Sequence, residues 1–328
     1  MARKRVTLKD VAKAAGVSLA STSYAVNKTG SLGDDTRAHI LKVAGELGYR
    51  QNLSARATRT GRTGALGLVV PDMTNPFFPS LAQSIVQRAR QNGYSVFVTD
   101  TEGDQAQEEE VVRQLIDRGV DGIVWFPVKD ENSIEKIAAD LPIVVIDRTV
   151  PGFECIQADY GEGGRLAADH LLSLGHQRIG VVAGPMDVRS MRDRCGAAQE
   201  AIARAGALAF SVENAFSTEL SGAVAQAIES REASAVFCGS DLIAIGVLKL
   251  ARKLGIETPE QLAIVGFDDI PWAEYCTPAL TTIEMPVDEM AAEAVDALLR
   301  KIDGDNESNR RVIFGVTLVE RESTAPAR

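Results

Sequence analysis

Cysteine and histidine are scarce in this 328-residue sequence, with four of one and three of the other. Cys155, Cys195, Cys238 and Cys276 lie far apart with no CxxC pair. Neither a disulfide framework nor a zinc site is indicated, and buried free thiols are the expectation. His170 and His176 fall around the end of one predicted helix without a third ligand nearby, so no metal and no cofactor is expected. No apolar run approaches the roughly 18 residues that span a bilayer, and the opening MARKRVTLKD has no apolar stretch of the signal-peptide kind. A cytoplasmic protein with no membrane partner is predicted. A GxxxxGKS or GxxxxGKT phosphate loop is missing, and no Ser/His/Asp or Cys/His constellation stands out. The cluster Gly161, Gly163 and Gly164 does not follow a strand in the dinucleotide-binding pattern, so an enzyme is not expected.

What is present is a folded chain's balance, 45% hydrophobic and 24% charged, over a length that suits two or three domains. The net charge of -10 conceals an uneven distribution. Residues 1–62 hold twelve Lys/Arg against four Asp/Glu, a head of +8, which leaves 23 basic against 41 acidic residues, or -18, for the rest. An acidic body with one basic end points to a polyanion partner at that end, or to a solvated basic tail.

The pattern inside the basic segment separates these readings. Thr7 can cap a helix over Leu8 to Ala15, with Val11 and Ala14 or Ala15 facing inward. Gly16-Val17-Ser18 then turns the chain: Gly16 tolerates positive φ, Val17 plugs the core and Ser18 caps a second helix, Leu19 to Val26. A third helix, Asp35 to Leu47, supplies Ile40, Val43, Ala44 and Leu47 to a small core. This is a helix-turn-helix layout, whose second helix presents Leu19, Ala20, Ser21 and Tyr24 where a recognition helix meets base edges.

The stretches TLKDVAKAAGVS, VNKTG and DDTRAHILKVAGELGY resemble the headpiece of the lactose-repressor (LacI/GalR) family, and the similarity continues over essentially the whole chain. The resemblance implies base reading by Leu19, Ala20 and Tyr24. It makes Thr7, Ser18, Ser21, Ser23 and Asn27 candidates for phosphate or framework contacts. Leu19 and Ala20 can read thymine methyls but not guanine, which leaves Tyr24 as the polar reader or, alternatively, a core filler. Residues 51–62 form a short basic segment that in the family becomes a minor-groove hinge helix, with Asn52, Ala55, Arg56, Thr58 and Arg59 as candidate contacts. Thr58 stands at the wedge position, where the family has leucine, and Leu53 is out of register. Threonine offers little apolar surface to offset unstacking, so a weak kink is expected, or a linker that orders only on DNA.

From Ala65 apolar strands alternate with amphipathic helices, the signature of parallel α/β layers. LGLVVP, SVFVTD, GIVWFP and PIVVID read as strands of one Rossmann-like half, with helices near Pro79, Gln107 and Ser133. RIGVVAG, SAVFCGSD and LAIVGFDD begin a second half, with helices near Glu162, Arg192, Leu220, Leu242 and Pro286. Two such lobes form a cleft, and ligands sit at the carboxyl ends of strands. The residues just past those ends are Asp72, Asn75, Phe77, Phe78, Asp147, Arg148 and Asp268. Paired Asp and Arg side chains can hold vicinal hydroxyls while aromatic faces pack on a sugar ring. Asp268 can instead be read as the cap of the helix that follows it.

NPFF, NGYSVFVTDTEGD, RGVDGIV, VIDR, VFCGSD and VGFDD are similar to the periplasmic-binding-protein fold as the repressor family uses it, and most of all to the ribose-repressor and ribose-binding-protein branch. The resemblance implies that Phe77 and Phe78 stack on a ring, that Asp147, Arg148, Arg194 and Asp268 bind hydroxyls, that Phe216 covers the ligand and that Ser240 adds a polar contact. Arg192 reads as a surface or interface residue. Tyr160 stands where Asn is usual, and Met285 replaces a Gln that often touches ligand, so the effector is expected to lack a hydroxyl or to sit differently from ribose.

The expected architecture is an all-α helix-turn-helix headpiece (1–50), a hinge (51–62) and an α/β sensor of two Rossmann-like lobes (63–328; about 63–159 with 287–315, and 160–284 with 316–328). A DNA-binding transcriptional repressor follows, whose operator affinity is set by a sugar or sugar derivative. Homodimers are expected, because one headpiece reads only a half-site and no heptad helix follows the body. A periplasmic transport receptor would share the body but would need a signal peptide and no basic headpiece.

Overall fold

The computed structural model describes residues 6–27, 29–49, 61–134, 137–138, 141–305 and 310–327. Asn52, Leu53, Ala55, Arg56, Thr58 and Arg59 lie outside the described residues. The chain divides into two compact units, Met1–Thr63 and Gly64–Arg328.

In the first unit, helices α1 (Leu8–Ala15), α2 (Leu19–Asn27) and α3 (Asp34–Glu46) close on Val11, Ala15, Ala25, Ile40 and Ala44. Thr7 starts α1 with a capping box: the Asp10 amide donates to its hydroxyl oxygen, and its own amide donates to the Asp10 carboxylate at 2.8 Å. Two otherwise orphaned amides are thereby satisfied. Gly16 ends the helix at φ +67°, a left-handed conformation that costs glycine little, and its amide donates to Ala12 O. The inward face of α1 is Val11, Ala12 and Ala15, while Ala14 points out. Ser18 caps α2 as its side chain predicts, accepting from the Ser21 amide at 2.9 Å.

The second unit holds two six-stranded sheets. In the first, the order is β11 (Arg311–Phe314), β5 (Glu154–Ala158), β4 (Ile143–Ile146), β3 (Gly122–Trp125), β1 (Ala65–Val70) and β2 (Ser95–Asp100), all parallel. The side chains of β1 alternate between two cores, as a strand covered on both faces requires. Leu66, Leu68 and Val70 meet α4 (Phe77–Gln91) and α11 (Val287–Ile302), whereas Val69 meets α5 (Gln105–Asp117) through Val112 and Leu115.

The second sheet runs β12 (Thr317–Val319), β10 (Thr281–Glu284), β9 (Ala263–Asp268), β8 (Ala235–Cys238), β6 (Ile179–Ala183) and β7 (Leu208–Glu213), with β12 alone antiparallel. One face carries α6 (Tyr160–Ser173) and α7 (Arg189–Arg204); the other carries α8 (Gly222–Glu229) and α9 (Asp241–Lys253). A short helix α10 (Pro271–Tyr275) follows β9. Helices α6 and α7 approach closely at Gly164, where a Cβ would run into the Arg194 carbonyl.

The sequence predicts a helix near Ser133. Residues 135–136 and 139–140 of that stretch lie outside the described residues; among those described, the amides of Ile137 and Ala138 donate to the Ile134 carbonyl. The buried Glu108 carboxylate on α5 takes the Ser133 hydroxyl and the Val128 amide, at 2.7 Å for the latter, and so fastens the chain there.

Candidate functional site

The headpiece presents an exposed strip on α2. Leu19 is 44% exposed, Tyr24 is 46% exposed and Ala20 is open to solvent as well. Tyr24 is therefore no core filler; its ring packs on Gly30, where a Cβ would come within 2.8 Å of it. The polar residues of α2 are engaged locally. Ser18 and Ser21 share a hydroxyl bond of 2.9 Å, and the Asn27 amide donates back to the Ser23 carbonyl at 2.7 Å. Arg37 on α3 donates to the carbonyls of Tyr24 and Gly30, tying the third helix to the loop after the second.

In the second unit a cavity of about 290 Å³ lies where strands of both sheets end. Its wall includes Asp72, Asn75, Phe77, Phe78, Asp147, Arg148, Arg194, Phe216 and Asp268 among the residues anticipated from sequence. Ser240 does not line it. That residue caps α9, its hydroxyl oxygen accepting from the Ile243 amide. Arg192 is exposed and donates to the Met186 carbonyl at 2.8 Å. Met285 is buried but does not reach this wall. Phe126, Ser190, Lys129 and Asp187 do, and the sequence reading passed over them. Applied to β3 and β6 as it was to β1 and β4, the strand-end rule would have pointed to Phe126 and to the start of α7.

Each polar wall residue is set by its backbone. Asp147 follows β4 at φ +71°, uncommon for a residue with a side chain, and its own amide and carbonyl are both used, by Ile156 O at 2.7 Å and by the Gln157 side-chain amide at 3.0 Å. Its carboxylate takes the Tyr160 hydroxyl and pairs with Arg148. Arg148 also donates to Ser190 Oγ at 3.0 Å and lies over the Phe126 ring, 4.8 Å from its centroid. Ser190 and Arg194 are four residues apart on α7 and so share one face of it. Arg194 donates to Gly239 O and to Asp268 Oδ1, both at 2.9 Å, with its guanidinium 3.9 Å from the Phe267 centroid. Phe77, Phe78 and Phe126 pack edge to face at 4.8 to 6.3 Å, giving an aromatic floor.

Burial governs the electrostatics. It pushes Asp268 up to about 6 against the pull of Arg194, lowers Arg148 to about 10 and raises Tyr160 to about 12. At neutral pH Tyr160 is thus a donor, and its hydroxyl serves the Asp147 carboxylate. The arrangement leaves two groups over: among the described residues the Nε–H of Arg148 and of Arg194 are buried without a partner. A wall combining ion-paired arginines, carboxylates and aromatic faces suits a ligand with several hydroxyls. No group of three or more His, Cys, Asp or Glu positioned for a metal ion occurs among the described residues, and no helix among them is long and apolar enough to cross a membrane.

Residues 7–52 match the family described as bacterial regulatory proteins, lacI family, and residues 168–324 match the periplasmic binding protein-like domain. The HTH-type transcriptional regulator DegA of Bacillus subtilis is 34% identical over 333 residues, covering 98% of this chain and 99% of that protein. The chain belongs to the LacI family. As a member of that family it is a transcriptional regulator, with a helix-turn-helix headpiece and two α/β lobes of the periplasmic-binding-protein type. The lac repressor dimer bound to operator and the anti-inducer ONPF superposes with a TM-score of 0.84 at 25% identity, covering 98% of this chain and all of that one. A LacI family regulator from Enterococcus faecium with bound ribose superposes at 0.73 and 27% identity, covering 80% of this chain and all of that one.

Proposed function

We propose that this LacI-family member is a cytoplasmic, homodimeric repressor that binds operator DNA through α2 and releases or tightens it when an uncharged sugar enters the interlobe cavity. The observation that carries the effector reading is a cavity wall that sets two carboxylate-paired arginines beside an aromatic floor. The cavity's arginines are matched by carboxylates, Arg148 by Asp147 and Arg194 by Asp268, which favours a neutral polyol over a phosphorylated one. The lac repressor and Enterococcus faecium relatives, bound to operator and to ribose respectively, support the two halves of the reading.

On DNA, Leu19, Ala20 and Tyr24 read bases, while Thr7, Ser18, Ser21, Ser23 and Asn27 hold the headpiece geometry or meet phosphates. Asn52, Ala55, Arg56, Thr58 and Arg59 contact the minor groove. The basic head gives affinity that falls steeply with salt, and α2 gives specificity. Effector and operator are coupled through one equilibrium, so each changes the other's affinity by the same factor.

A thermal-shift screen of the full chain against neutral monosaccharides, sugar phosphates and sugar acids tests this. A neutral sugar that raises Tm and alters operator affinity supports the reading. If no sugar moves Tm, or only the phosphates do, the effector assignment is wrong.

A further inference from the structure

Helix α7 carries Ser190 and Arg194 into the cavity, yet its own N-cap residue, Val188, offers no side-chain hydrogen bond to the first turn. The amide of Arg189, its first residue, is served from the opposite lobe. It donates to Asp130 Oδ2 at 2.7 Å, and Asp130 sits in the segment that follows β3 of the first sheet. A carboxylate at a helix N-terminus satisfies an orphaned donor and also meets the positive end of the helix dipole. Around it, Arg192 lies 3.9 Å from the same oxygen, and Lys129 lies 3.8 Å from Asp187 across the same gap. Asp130 itself does not line the cavity.

The segment that bears Asp130 is held firmly on its own side. Glu108 accepts from the Trp125 indole at 3.3 Å, the Val128 amide and the Ser133 hydroxyl, bracketing Asp130 at both ends. At the other end of the contact the hold is partial, because Oδ1 of Asp130 is buried without a partner. Opening returns that oxygen to water, which offsets part of the hydrogen bond lost, so the contact favours closure modestly and can be broken.

We infer that Asp130 is a positioning residue: a clasp that caps α7 of the opposite lobe and so biases the cleft toward the closed arrangement in which Ser190 reaches Asp147 and Arg148. This rests on the reading of the cavity as an effector site whose lobes move. The sequence also provides a specific way to remove the donor. Position 189 is the first of the helix, where proline is tolerated, and Val188 before it is already extended at φ -96°, ψ 129°. Arg189→Pro therefore deletes the amide hydrogen with the helix intact. Arg189→Ala keeps that hydrogen and loses only an exposed ion pair with Asp193.

The test reads lobe separation without effector, so its failure is distinct from that of the sugar screen. Spin labels are attached to the full chain at Asp117→Cys and Glu229→Cys, both exposed, in a Cys276→Ser background that leaves only buried native thiols. Dilution with unlabelled protein restricts the distances to one protomer. Wild type and Arg189→Ala are expected to show mainly the short separation. Asp130→Ala and Arg189→Pro should each lower the ratio of short to long separation on the order of five-fold, the worth of a typical cap, and the double variant should lower it no further. Unchanged distances in either single variant, an additive double variant, or an Arg189→Ala shift equal to that of Arg189→Pro would overturn the clasp.

Discussion

Arg194 on α7 and Asp268 at the end of β9 are ion-paired at 2.9 Å, with side chains only 6% and 11% exposed, and the guanidinium lies over the ring of Phe267, the residue before its own partner. One arginine thus joins a helix to a strand end by an ion pair and a cation–π contact together. Removing one member of a buried pair leaves the other charge uncompensated. Arg194→Ala should cost about 3–5 kcal/mol in urea unfolding of the full chain. The double variant Arg194→Met with Asp268→Asn should lose clearly less. A loss under about 1 kcal/mol for Arg194→Ala would show that water reaches the pair.

The acid of that pair gives a pH dependence whose sign is fixed. Burial sets Asp268 at about 6 in the folded protein, above its ordinary 3.8, so the native state holds the proton more tightly than the unfolded chain does. The resulting stabilisation is complete below about pH 4 and is lost as pH rises through 6. Asp268→Asn has no such proton. The wild-type Tm measured relative to this variant should therefore fall between pH 4 and 7, and a flat difference would contradict the assignment.

Two glycines one turn or less from the site predict opposite outcomes. Gly164 on α6 faces the Arg194 carbonyl directly, so Gly164→Ala forces the two helices apart and should cost about 3 kcal/mol or more. Gly196 in the middle of α7 has nothing within 4 Å of its absent Cβ. Gly196→Ala should stabilise by about 0.5–1 kcal/mol through helix propensity. Urea midpoints of the two variants decide the point.

In the headpiece, Thr7→Ala removes the hydroxyl half of the capping box, leaving the residue 7 amide on Asp10, and should lower the stability of this unit by about 1 kcal/mol, read from its thermal melt by circular dichroism. Tyr24→Ala should weaken operator binding by about 1–3 kcal/mol while leaving the slope of affinity against salt unchanged. A changed slope would place Tyr24 on phosphate rather than on bases.

What could be read from sequence follows from how each element is buried. Strands β1, β3, β4, β6, β8 and β9 are apolar runs because both faces are covered, and the first two headpiece helices announce their caps at Thr7 and Ser18. Strand β5 escaped notice because Glu154 and Gln157 interrupt it. Both are buried, Glu154 against Arg300 and Lys301 from α11, and Gln157 against Asp147 O and Arg311. Partners that distant in sequence cannot be inferred from a local window. Strand β7 has half-exposed Phe210 and Val212, and β11 and β12 are four and three residues long, so their periodicity is too brief to register. The cavity residues were legible where they directly follow an apolar strand. On the face of α7, Arg194 came only through the family resemblance, and Ser190, one turn before it, was not named. Ser240 shows the reverse error: the strand-end position is right, but its hydroxyl is spent on a helix cap.

Strands β11 and β12 belong to different sheets although only Gly315 and Val316 stand between them. During synthesis, then, neither lobe can complete its sheet until the chain has been translated past residue 314 for one and 319 for the other. Although α/β lobes of this size can often form in turn behind the ribosome, here β5 and β10 must wait with an unfilled edge. The same nine residues finish both, and truncation upstream of Arg311 would leave two incomplete sheets rather than one.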